Sequence, residues 1–294
     1  MRLFIALVFL ISSVVILPQT SLAQKATTVD ELAAMYNVDM CIDCHEDTHD
    51  EWKNSWHSQT ISDPRVIRTW RTFILRGLDE SDQTTRKDLS MCLRCHLPQV
   101  KDATDGLVEK IADLIVTAAD DKSKAKRESA KKELSKLNVN CIICHNLKAA
   151  PDGNPQAKTI YGPRGSTDTP HKEEIGFETV KSDVIKTSQF CARCHNGCQG
   201  LPKEQCSSVF TSYRDYYVAN GGKKTCQDCH MPGDETKSHT FPGIFDVDFA
   251  KTAVDIEIVA SKSRYIYHLE NKIVPAIGMQ VKVTNTGGHE WPHG

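Results

Sequence analysis

The sequence predicts a mainly α and irregular fold, low in strand, that ends in a small β unit, and three observations predict it. Apolar residues at helical spacing are gathered between Asp105 and Leu137. The tract 146–190 is full of Gly, Pro, Thr and Asp, without a sustained period, and reads as extended loop. Alternation of apolar and polar residues sets in beyond Asp246.

Residues 1–23 read as an export signal. Arg2 supplies a positive start, Leu3 to Leu17 are almost unbroken apolar residues, Pro18 ends the run, and Ser21-Leu22-Ala23 has the small-x-small form of a cleavage site. At roughly 15 residues the run is shorter than the ~20 a bilayer-spanning helix needs. No later run is long and apolar enough to span, so the mature chain is expected to carry no membrane span and to work in the periplasm or at the cell surface. Residues 24–245 form the expected central domain. Within it Leu107, Ile111, Leu114, Ile115 and Ala118 make one helical stripe, and the Lys/Glu/Ala-rich stretch Asp120 to Lys136 reads as a second, more exposed helix. Residues 246–294 form the β unit, with Val254, Ile256 and Ile258, then Tyr265 and Tyr267, then Val281 and Val283 marking three short strands. Three strands with an open edge make a poor independent unit. Either the sequence is a fragment, the favoured reading, or a partner subunit completes the sheet.

The chain holds 12 Cys and 12 His in 294 residues. Ten of the cysteines fall into five C-x-x-C pairs, each followed at once by His: Cys41-Cys44-His45, Cys92-Cys95-His96, Cys141-Cys144-His145, Cys191-Cys194-His195 and Cys226-Cys229-His230. Two thiols at this spacing reach the two vinyl groups of one haem as thioethers, and the adjacent His becomes the iron's proximal ligand. Zinc sites pair two such units or add spaced His ligands, and a thioredoxin-type motif occurs once. Five covalently attached haem c groups are therefore expected, and with them a multihaem cytochrome fold. A 39% apolar, 7% aromatic composition is thin for a self-sufficient core, and five macrocycles would make up the deficit. The remaining cysteines, Cys198 and Cys206, are expected to form a local disulfide in an oxidising compartment. The balance of 36 basic against 38 acidic residues excludes the basic excess of a nucleic-acid binder.

Seven His lie outside the motifs: His49, His57, His171, His239, His268, His289 and His293. Five of them would close every iron as a bis-His centre, which favours electron transfer over ligand binding. The segment Cys41 to His57, with Trp52-x-x-Ser55-x-His57, resembles the opening of multihaem cytochromes related to the nitrifiers' tetrahaem cytochrome c. Further likenesses are Asn138-Val139-Asn140, Thr169-Pro170-His171, Asn196-Gly197 after the fourth motif, Met231-Pro232 after the fifth, His239-Thr240-Phe241-Pro242-Gly243 and Thr284 to Pro292. The resemblance implies His57, His171, His239 and His289 as distal ligands, with His268, His49 and His293 competing for the fifth place. His289-Glu290-Trp291-Pro292-His293 matches the H-E-x-x-H zinc signature in form, but that signature needs a helix, which Pro292 and the flanking glycines oppose.

The expected function is electron transfer outside the cytoplasm, as shuttle or conduit. Its partners would be other redox proteins or a membrane quinone enzyme, or further copies of the chain in a filament. The alternative is a multihaem oxidoreductase acting on a small nitrogen or sulfur compound at one open-faced haem. No motif has Lys in place of its proximal His, which would mark a catalytic haem, so a non-catalytic carrier is favoured and no catalytic residue is named.

Overall fold

The computed structural model describes residues 25–76, 89–165, 167, 169–196, 208–234 and 236–291. The expected leader, the Cys198–Cys206 pair and His293 lie outside them. Short helices joined by irregular segments dominate, with two small sheets.

The strongest periodic signal gives two antiparallel helices, Asp105–Asp120 and Lys124–Ser135. Thr104 caps the first by accepting from the Leu107 N–H, and Ser123 caps the second by accepting from that of Lys126. The first buries Leu107, Val108, Ile111, Ala112, Ile115 and Ala118. The second is largely exposed and contributes Ala130 and Leu134, as its composition suggests. Ile67, Trp70 and Ile74 of the helix Pro64–Arg76 join the same core, together with Leu93 inside and Leu97 beside the second motif and Ile142 and Ile143 inside the third. One apolar cluster thus abuts two of the cysteine motifs directly.

Two details differ from expectation. Thr159–Gly162 and Glu178–Lys181 pair as a parallel ladder, Thr159 opposite Glu178, inside the tract read as loop. Four-residue strands are too short to declare a period. The β unit is one antiparallel hairpin, Val254–Tyr267 with Lys272–Asn285, rather than three short strands. Lys262, Ser263 and Arg264 interrupt the apolar alternation but stay in register with Ile277, Ala276 and Pro275. Asn271, with φ of 46°, helps close the turn. Ile256, Ile258, Ile266, Ile273, Ile277, Met279, Val281 and Val283 share one face and are all exposed, while Asp255, Glu257, Lys272 and Lys282 share the other. No helix among the described residues is long and apolar enough to cross a membrane.

Candidate functional site

Each motif sits on or at the end of a short helical segment: Asp39–Ile42, Leu89–His96, Ile143–Lys148, Ser188–His195 and Cys226–His230. On a helix, residues three and four apart share a face, so the two thiols and the following imidazole converge. Nine of these cysteines are described as free thiols, available for attachment; the side chain of Cys92 lies outside the described set.

Four motif histidines face a second histidine from a distant part of the chain. Ring centres are 6.1 Å apart for His45 and His171, 6.1 Å for His57 and His195, 6.3 Å for His145 and His239, and 6.1 Å for His230 and His289. Two imidazoles on opposite sides of one iron, with metal–nitrogen bonds of about 2 Å, hold their centres roughly 6 Å apart. The gaps therefore fit an iron. Among the described residues no group of three His, Cys, Asp or Glu converges as a metal site. Two axial donors alone call for equatorial donors from a macrocycle. The four partner histidines are the four that the family-like segments nominate.

The ring hydrogen bonds suit the same role. Nδ1 of His96 lies 2.8 Å from the Thr60 carbonyl, of His230 2.7 Å from that of Pro242, of His239 3.0 Å from that of Lys237, and of His289 2.9 Å from that of Glu290. Nδ1 of His171 meets the Thr179 hydroxyl at 3.1 Å. An Nδ1–H donated in this way leaves the Nε2 lone pair for a metal and fixes the ring. These acceptors, and the parallel ladder that carries Thr179, were not legible in the sequence. His57 differs, because its Nδ1 is buried without a hydrogen-bond partner.

What positions His57 is a set of contacts between its segment and the approach to the third motif. The Trp52 indole N–H donates to the Val139 carbonyl at 3.0 Å, and the Val139 N–H donates to the Thr60 hydroxyl at 2.9 Å. The Asn138 carboxamide oxygen accepts from the Ile61 N–H at 3.0 Å. Asn140 caps the third motif, accepting from the Ile143 N–H. The Asn138-Val139-Asn140 segment thus ties two candidate centres together.

Burial pushes His57 down to about 4, helped by the imidazoles of His195, His230, His239 and His96. His145 is also pushed down to about 4, by burial first and then His239. Burial likewise lowers His171, His230 and His239. A desolvated ring resists charging, so these groups are neutral, with a lone pair to give, at ordinary pH.

Neighbouring motifs touch through their thiols. Cys41 lies beside Cys141, Cys95 beside Cys194, and Cys191 beside Cys226. The first motif thus lies against the third, and the fourth against the second and the fifth. Phe241 lies between two of the paired histidines, its ring centre 4.4 Å from that of His57 and 5.7 Å from that of His239.

Three sequence candidates lie outside the pairs. His96 stands 5.6 Å from the Trp70 ring and faces no second imidazole among the described residues. His268 is exposed at the hairpin turn, beside Tyr265. His49 packs on Trp52 near the Asp50 carboxylate. His289 and Glu290 sit in a non-helical segment, so the zinc-signature geometry is missing there.

The solved structure of a penta-heme cytochrome c552 from Thermochromatium tepidum matches over 89% of this chain and 68% of its own, with a TM-score of 0.54 at 19% identity, a likeness of fold. No curated protein matches the sequence. The family model of the outer membrane cytochrome MtrC/MtrF-like, domains II/IV, matches residues 76–240. That is more than half of the chain and spans four of its five motifs. The chain is a multihaem c-type cytochrome and belongs to the MtrC/MtrF-like outer membrane cytochrome family.

Proposed function

We propose that the chain carries five covalently bound haem c groups and moves electrons outside the cytoplasm as a shuttle or conduit. On this reading the ten motif cysteines attach the haems, and His45, His96, His145, His195 and His230 are the proximal ligands. His171, His239, His57 and His289 close the first, third, fourth and fifth irons. The observation that carries the reading is the four His pairs with ring centres 6.1–6.3 Å apart. Haem, when bound, supplies one-electron chemistry. The paired histidines would hold the iron from both sides at four centres and so keep small molecules off them, and the closeness of neighbouring motifs would keep the centres together. Partners would be other redox proteins, a membrane quinone enzyme or further copies of the chain. The family's outer-membrane name and the signal-like start support the location, and the segments from Cys41 to His57 and beyond support kinship with the nitrifiers' tetrahaem cytochrome.

His96 favours a second reading. Without an opposing imidazole among the described residues, the second centre could take an external ligand and act on a small nitrogen or sulfur compound. The deciding experiment is mass and spin-state measurement on the purified holoprotein. Five haems are expected, at least four of them low-spin and indifferent to carbon monoxide. Fewer than five haems, or high-spin iron at the paired centres, would sink the first reading. One centre that binds carbon monoxide and turns over nitrite would move the assignment to the second.

The pH response has a defined sign. His57 and His145 sit at about 4 when folded against an ordinary value of 6.5. A detached or unfolded ring binds its proton first, so acid favours release. Stability from these rings is complete above about 6.5 and is lost as pH falls toward 4. On the proposed ligation the iron would hold the same lone pairs, so an absorption titration of the holoprotein should find the low-spin spectrum constant from pH 8 to 6.5 and converting to high-spin only in acid, where the proton competes with iron for a released imidazole.

A further inference from the structure

Three of the four His pairs have nearly parallel or moderately tilted rings, with interplanar angles of 37°, 27° and 23°. The fourth, His57 with His195, stands at 87°. An imidazole can rotate about its bond to a metal, so something must choose the angle. For His171, His239 and His289 a hydrogen bond at Nδ1 does so. His57 has no such bond, since its Nδ1 is buried and unpartnered. What meets its ring instead is Phe241, edge-on at 80° and 4.4 Å between centres.

The placement of Phe241 is itself unusual. Its φ of 47° puts a non-glycine residue in the left-handed region, immediately before Pro242, a position that favours extended backbone. The chain on either side is anchored. The His239 N–H donates to the Glu51 carboxylate at 2.8 Å, and the Pro242 carbonyl faces Nδ1 of His230 at 2.7 Å. Between these two anchors Phe241 takes this conformation, and its ring lies against both His57 and His239. Strain of this kind persists where surrounding contacts over-determine it.

We infer that Phe241 is a positioning residue that holds the His57 ring perpendicular to that of His195, making the fourth centre electronically distinct from the other three paired centres. The inference rests on the proposed ligation of the fourth iron by His57 and His195. Perpendicular axial imidazoles bring two iron d orbitals close in energy, and a low-spin ferric centre of that kind has a highly anisotropic g tensor. Near-parallel rings give an ordinary rhombic one.

The test is electron paramagnetic resonance of the fully oxidised holoprotein and of F241L and F241Y, after mass spectrometry of haem content. The wild type should show one large-g signal beside rhombic low-spin signals. F241Y, which keeps the aromatic edge, should retain it. F241L should convert it toward a rhombic signal while the others hold. Absence of a large-g signal in the wild type, no change in F241L, or a shift of every signal together would overturn the inference. If F241L loses haem, F241M takes its place; loss of haem by both would overturn a positioning role in favour of a purely structural one. H57G separates the inference from the ligation beneath it. If H57G leaves every centre low-spin, the ligation reading fails. If H57G turns one centre high-spin while F241L changes nothing, only the role of Phe241 fails.

Discussion

Replacing His171 with glycine should leave all five haems attached and turn one of them from low-spin to high-spin. On the proposed ligation His171 would hold only the far side of its iron, while the first motif's cysteines and His45 would keep the haem covalently in place. The same result is expected one haem at a time for H239G and H289G, at the third and fifth centres. H171G combined with H289G should convert two. The opened iron should then bind carbon monoxide, which the closed iron refuses, and the difference spectrum should report one new site per substitution. H268A and H49A, outside the pairs, should change nothing. A methionine at position 171 offers a second check, because a thioether in place of the imidazole raises the potential of that centre alone. Retention of all low-spin signals in H171G would remove His171 from the ligand set.

Ile111→Ala should have the largest effect on stability. Ile111 is 0% exposed in the middle of the helix Asp105–Asp120. Its truncation leaves a hole between that helix, Lys124–Ser135 and Pro64–Arg76. Large-to-small changes at such sites cost about 2–5 kcal/mol through lost transfer energy and the cavity left behind. The midpoint of thermal unfolding, followed by far-ultraviolet circular dichroism, should fall by several degrees or more. Glu109→Ala, on the exposed side of the same helix, should stay within about 0.5 kcal/mol of wild type. The contrast separates core packing from helix propensity. Because Asn138 carries the end of this helical hairpin to the His57 segment, the loss in I111A should also sensitise the fourth centre to mild denaturant.

The parts of the molecule that were legible in the sequence share a local cause. A C-x-x-C-H run states its chemistry within five residues, and the helix Asp105–Asp120 declares its buried face through sixteen. The histidines that complete the pairs were legible only through their surrounding segments. The pairing itself was not, since it joins residues as distant as His57 and His195 and no local pattern encodes such a contact. Thr60, Thr179 and Pro242 act through a carbonyl or a hydroxyl placed by the fold, which no residue type announces. Phe241 lies inside a family-like segment, yet nothing in that segment announces its contact with the distant His57. His268 has the same chemistry as the paired histidines, yet the hairpin carries it to an exposed turn. The continuous length of that hairpin was hidden by three polar residues, Lys262 to Arg264, which pause the apolar pattern without breaking the register.

The pairs also interlock along the chain. His45 reaches forward to His171, His57 to His195, His145 to His239 and His230 to His289. Each span opens before the preceding one has closed. On the proposed ligation, each iron acts as a clasp between remote segments, and the free energy of binding the second imidazole becomes folding free energy. The first clasp must wait for residue 171 and the fourth for residue 195, long after their opening residues have been synthesised. Biogenesis would then be ordered from within: thioether formation can follow the emerging chain motif by motif, but the coordination that locks the molecule together lags behind it, closing in the order 171, 195, 239 and 289.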